Sequence, residues 1–193
     1  MSERQTGRRT VPVLSDAEYR RVLAVLDKDA IRDVLARVSR GVDRLDPDIL
    51  RGAYWPDAHV YASFFDGPVG DFIDWLVNAR GDKTAGAAHN ICNIGIELDG
   101  DVAWGETYFI GLSENRPEGQ AAFNNLTTGR YLDRFEKRDG EWRIARRVFA
   151  YELSGRLPHH AAWTEQPLVD MMRRGRRDRE DMVFRMREPG FPS

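Results

Sequence analysis

Apolar residues recur at two spacings along this chain, helical over the first third and alternating over most of the remainder. Ser15-Asp16-Ala17-Glu18 has the form of a capping box and predicts a helix from about Asp16 to Asp27. Asp29 offers a second start, followed by the stripe Ile31, Val34, Leu35, Val38, Val42 and Leu45. Asp46-Pro47 reads as an N-cap with proline at the first helical position, for a helix running to about Tyr54 and stopped by Trp55-Pro56-Asp57. A strand is expected at Ala58–Phe64, closed by the turn Asp66-Gly67-Pro68, then a short helix at Asp71–Arg80. Beyond Gly86 the pattern is strand-like. Ala87–Leu98 pairs through Asp99-Gly100 with Val102–Ser113, and after a polar loop Phe123–Arg138 pairs through Asp139-Gly140 with Glu141–Leu153. A basic helix is predicted at roughly Glu165–Arg174, before a tail rich in Arg, Asp and Glu.

Helices followed by hairpin-connected strands make an α+β domain: a cone-shaped, curved, mainly antiparallel (mixed) sheet wrapped around the N-terminal helices. The divisions expected are a loose arm at 1–13, the α+β domain at 14–155, and a C-terminal helical extension and tail at 156–193. With 193 residues the chain has room for one sizeable core. A net charge of −2 argues against nucleic acid or an anionic membrane as partner. The single Cys92 rules out an internal disulfide and suits the cytoplasm. No apolar run has the length of a membrane span, and MSERQTGRRT lacks the apolar core of a signal peptide.

Strict alternation places His89, Ile91, Asn93 and Gly95 on one strand face, and Cys92, Ile94, Ile96 and Leu98 on the other. An imidazole and an amide on an inward face are either satisfied core groups or the lining of a pocket. Asp43 lies at the border of the helical stripe, near Ala36 and Ser39; it is a surface or capping group, or it reaches a facing sheet. If it meets His89, the carboxylate fixes the tautomer of a base that titrates near neutrality. Period two groups Arg147 with Ala145, Phe149 and Tyr151, and sets Trp142 and Ile144 on the other face. An inward Arg147 would either hold an oxyanion or pair with Asp133 or Glu106. Tyr54 and Tyr108 are hydroxyl donors or packing groups, and Tyr108 shares a face with Glu106. No phosphate-binding glycine loop, Gly-x-Ser-x-Gly elbow or spaced Cys/His set is present, and His159-His160 diverge in any regular structure. No metal and no cofactor are therefore expected.

DAIRDVLARVSRGVDRLDPDIL, AAHNICNIGIELDGD and GRYLDRFEKRDGEWRIARR together resemble the opening helices, central strand and closing hairpin of SnoaL-like members of the nuclear transport factor 2-like superfamily, over roughly residues 25–153. The resemblance implies an Asp–His pair of the kind used by scytalone dehydratase, bile acid 7α-dehydratase and hexachlorocyclohexane dehydrochlorinase, carried here by Asp43 and His89. Arg147 falls where the dehydrochlorinase has an active-site arginine. Val38 replaces that enzyme's catalytic lysine, while Ala62 and Leu112 stand where scytalone dehydratase has a tyrosine and a second histidine. The base is thus expected without the relatives' leaving-group machinery. The implied function is a cofactor-independent lyase or isomerase acting on a hydrophobic, carbonyl-bearing small molecule, with Asp43 and His89 catalytic and Arg147, Tyr108, Tyr54 and Asn93 binding substrate. The alternative is a non-catalytic subunit resembling the β subunits of ring-hydroxylating dioxygenases. An open cavity above His89 favours the first and a filled interior the second. The row Cys92, Ile94, Ile96 and Leu98 predicts a homo-oligomer, and the resemblance, to a family whose members are commonly dimers or trimers, implies a trimer in preference to a dimer.

Overall fold

Ser15 accepts a hydrogen bond from the Glu18 N–H, and Glu18 returns one to the Ser15 backbone, so the capping box opens helix α1 as expected. The structure, a computed structural model, describes residues 13–62, 64–80, 83–157, 175–189 and 191. The basic helix expected at 165–174, His159-His160 and nearly all of the N-terminal arm lie outside the described residues. Helix α1 runs unbroken from Asp16 to Arg44, where two helices were expected. Lys28-Asp29-Ala30 contains no Gly or Pro, and Asp29 is solvated on the outer face, so its capping tendency does not interrupt the ladder. Ile31, Val34, Leu35 and Val38 are buried at helical spacing.

Leu45, in the left-handed region at φ 50°, ends α1. Asp46 then accepts from the N–H groups of Asp48 and Ile49 and starts α2 (Pro47–Ala53). Strand β1 (Tyr54–Ala62) begins earlier than expected, because Tyr54 already pairs with Ile144; Pro56 falls within the register shift that follows. Asp66-Gly67-Pro68 is not a turn but part of β2 (Phe65–Pro68), which pairs back on β1. Helix α3 (Val69–Asp74) continues into a π-helical turn, Trp75–Arg80. The long strands are β3 (Thr84–Asp99), β4 (Val102–Asn115), β5 (Phe123–Arg138) and β6 (Glu141–Leu157). They form a six-stranded sheet in the order β2-β1-β6-β5-β4-β3. Among the described residues only the β1–β6 pairing is parallel, so the sheet is mixed, and it stays open with β2 and β3 as its edges. Helix α1 packs against β3 and β6.

Bulges break the alternation that the sequence suggested. Cys92 and Asn93 together face Tyr108, so β3 gains a residue between the Ile91–Phe109 and Ile94–Thr107 pairs. After that point the inward positions become Ile94, Ile96 and Leu98, which join the core rather than forming an outer row. In β6, Ala145 is the extra residue between the pairs Phe135–Ile144 and Arg134–Arg146. Trp142 and Ile144 are therefore buried on the same side as Arg147, not opposite it. Among the described residues no helix is long and apolar enough to cross a membrane.

Curvature also requires one close backbone approach. A Cβ on Gly129 would collide with the Ala150 carbonyl oxygen and press on the Phe109 ring at 3.1 Å. Gly129→Ala should destabilise the domain by about 1–3 kcal/mol, measured as a lower urea midpoint. An unchanged midpoint would show that β5 and β6 can separate at this point without cost.

Candidate active site

Asp43 lies in the last turn of α1 and turns inward between that helix and β3. Its Oδ1 lies 2.6 Å from His89 Nδ1, and its Oδ2 accepts the His89 backbone N–H at 3.0 Å. The carboxylate thus grips the ring and the main chain of one residue. With Nδ1 as donor, the imidazole presents the Nε2 lone pair. Among the described residues Nε2 has no hydrogen-bond partner, and His89 lines a cavity of about 520 Å³. Gly111 lies beside the ring: a Cβ there would stand 3.6 Å from Nε2, so the missing side chain is what leaves that edge uncovered.

The cavity walls are mainly apolar and aromatic. Val38 and Val42 come from α1, Phe72, Trp75 and Leu76 from α3 and its π-turn, and Phe109, Tyr131 and Phe149 from the sheet. Phe109 and Tyr131 stack at 4.3 Å, with Phe149 edge-on to Tyr131 at 5.0 Å. Arg147 enters this apolar setting 1% exposed. Its Nε and Nη2 donate to the two oxygens of Asp133 at 2.8 and 2.7 Å, and its guanidinium lies 4.1 Å from the Tyr131 ring centroid. Burial would discharge Arg147, but Asp133 opposes this and holds its pKa above the ordinary value. Burial pushes the Asp133 carboxyl up, with Arg147 pulling the other way. Both charges are retained because each is the other's bidentate partner.

Tyr54 is buried at the wall of the same cavity, its hydroxyl shielded from solvent and next to the Arg147 guanidinium. Burial pushes this phenol up to about 12, with Arg147 opposing, so it is a donor at neutral pH. Tyr108 and Asn93 are elsewhere. Tyr108 alternates with the inward Thr107 and Phe109, so it faces outward, 42% exposed, with the Arg130 guanidinium over its ring. Asn93 sits in the bulge of β3 and is exposed. Neither lines the cavity.

Sequence reasoning missed Ser113, Asn125 and Thr127, which put hydroxyl and amide groups on the cavity wall. It also missed Arg177, which reaches the cavity from the C-terminal tail. The strand residues follow from alternation once the bulges are known. Nothing in the tail's composition distinguishes Arg177 from its neighbours.

The SnoaL-like domain family matches residues 24–148. In backbone the chain is similar to a scytalone dehydratase candidate from Novosphingobium aromaticivorans, at 21% identity and a TM-score of 0.62 over 72% of this chain and 92% of that one. It is similar to LinA at 23% identity and a TM-score of 0.63, over 72% and 95% of the two chains. A nuclear transport factor 2-like superfamily protein from Salmonella enterica aligns at 15% identity and a TM-score of 0.58, over 66% and 94%. Among curated proteins none matches the chain.

Arg147→Met should cost about 3–5 kcal/mol in urea denaturation, because it strands a buried carboxylate. Adding Asp133→Leu should recover most of that loss. A double variant no more stable than the single one would mean that packing, not the unpaired charge, sets the cost.

Proposed function

The chain belongs to the SnoaL-like family of domains, and we propose that within it this protein is a cofactor-independent lyase or isomerase acting on an apolar, carbonyl-bearing small molecule. The observation that carries this reading is the Asp43–His89 pair opening onto an unfilled, largely apolar cavity. A cavity of about 520 Å³ is of the size that holds small organic ligands. A purely structural subunit has no need of such a space beside an oriented imidazole.

His89 Nε2 takes a proton from the carbon adjacent to the substrate carbonyl. The C–H electron pair moves into a new C=C bond and the carbonyl oxygen becomes an enolate. Asp43 accepts the Nδ1–H throughout and stabilises the imidazolium. In a dehydration the imidazolium then returns the proton to a β-hydroxyl, the C–O bond breaks, and water leaves with the carbonyl restored. In an isomerisation the proton returns to a different carbon. Arg147 and the Tyr54 hydroxyl, both buried at the cavity wall, supply the local field that favours the oxyanion. LinA and the scytalone dehydratase candidate share the fold and point to the same class of reaction.

The chain is further proposed to be a homo-oligomer. The row first expected to form the contact is turned inward by the bulge in β3. Trp104, Tyr108, Ile110 and Leu132 instead leave an exposed apolar patch on the outer face of β4 and β5.

Incubation of apolar β-hydroxy ketones with the protein in D2O should give deuterium at the α-carbon or loss of water. His89→Ala and Asp43→Asn should each lower that rate by about 10²–10⁴-fold with circular dichroism unchanged. A rate near wild type in either variant would refute the pair as the base. For assembly, light scattering after size exclusion should show a multiple of the chain mass, reduced to one chain by Trp104→Glu with Ile110→Glu. A wild-type monomer overturns that part.

A further inference from the structure

We propose that Arg177, in a segment beyond the residues matched to the family, is a positioning residue that clips the end of α1 carrying Asp43 to the strand carrying His89. This rests on the reading of the Asp43–His89 pair as the working base. Arg177 Nε donates to the Asp43 carbonyl at 3.1 Å and Nη2 to the Val42 carbonyl at 3.0 Å. Nη1 donates to the Thr84 carbonyl, at the start of β3, at 2.9 Å. One rigid, planar fork therefore spans the two elements whose separation sets the Oδ1–Nδ1 distance.

Two physical needs meet at this point. The last carbonyls of a helix are short of donors, and Arg177 adds shorter bonds to two of them than the 3.4 Å ones that Val42 accepts from the Leu45 N–H and Asp43 from Arg44 Nη1. The same helix end carries the negative pole of the backbone dipoles, an unfavourable place for the Asp43 carboxylate. A guanidinium on those carbonyls offsets that field without touching the carboxylate, leaving both of its oxygens to His89. A reactive pair holds its geometry only within about half an ångström, so such a clip bears directly on the base.

The segment itself is anchored independently of this contact. Arg179 reaches Asp46 and Asp48 at 3.0 Å each. Asp181, 4% exposed, accepts the Arg176 N–H at 2.6 Å and lies 3.3 Å from Arg44 Nε. Phe184 lies beneath the Arg40 and Arg179 guanidinium groups. Arg177 is the part of this strap that bonds the helix end at Val42 and Asp43 and also the strand.

The test follows the His89 Nδ1 proton by NMR in full-length protein with ring-¹⁵N histidine. In wild type this proton should be resolved and slow to exchange with water. Arg177→Ala should speed its exchange about tenfold or more, the loss expected when a charge-assisted hydrogen bond is removed. Added methylguanidinium should restore slow exchange in that variant. Arg177→Lys, which keeps the charge but not the fork, should fall between the two. Arg179→Ala loosens the strap from α2 without touching Val42, Asp43 or Thr84, and should leave the proton at its wild-type rate. Wild-type exchange in Arg177→Ala overturns the inference alone, as does an equal effect from Arg179→Ala. Absence of the proton in wild type overturns the Asp43–His89 pairing and the inference with it.

Discussion

Asp43 spends both carboxylate oxygens on one residue of the sheet, the ring through Oδ1 and the backbone through Oδ2. The second bond is easily overlooked and structurally the more demanding. It ties the end of a long helix to the main chain of β3, so a shift of either element breaks two charge-assisted bonds at once. The cavity lies between that helix and the sheet, with Val38 and Val42 on one wall and Phe109 and Tyr131 on the other. Docking of α1 onto the sheet and orientation of the imidazole are therefore one interaction.

The Arg147–Asp133 pair solves a different problem in the same space. A cavity built from Phe109, Tyr131 and Phe149 offers little solvation, and a lone cation there would be too costly to keep. The bidentate geometry and the Tyr131 ring compensate, so a permanent positive charge persists where water is scarce. The Tyr54 hydroxyl, raised to about 12 by burial, stays a donor beside it. The result is a largely apolar container with a small set of fixed polar groups.

The order of elements was legible in the chain because their local chemistry agrees with their tertiary setting. Ser15 and Glu18, Asp46 and Pro47, and the Asp139-Gly140 turn do in the structure what their types imply, while the first hairpin turns one residue later than expected, at Gly100-Asp101, with Asp99 paired to Val102. Asp43 and His89 were marked by inward-facing polarity and by resemblance, and the structure brings them together. Period-two reasoning failed wherever a strand carries an extra residue. It put Asn93 beside His89 and Ile94 outside, and it separated Trp142 from Arg147, because a bulge leaves no mark in composition when its residues are ordinary ones such as Ala145 or Cys92. Tyr108 is a different error, since its pairing with Glu106 on one face was right but that face is the outer one. Arg177 was invisible for a third reason: its partners are backbone carbonyls far away in sequence, and such contacts impose no pattern on the residues around them.

The extra residue at Cys92-Asn93 changes what length means for β3. In a regularly paired strand, losing one interior residue turns every later side chain over to the other face. Here a single deletion at this position would leave one residue opposite Tyr108 in place of two, with Ile91 still paired to Phe109 and Ile94 to Thr107, so Ile94, Ile96 and Leu98 would stay inward while His89 kept its place. The spacing between the imidazole and the apolar residues that follow it thus carries one residue of slack at the bulge. Related chains would be expected to differ by one residue here more readily than elsewhere along this strand.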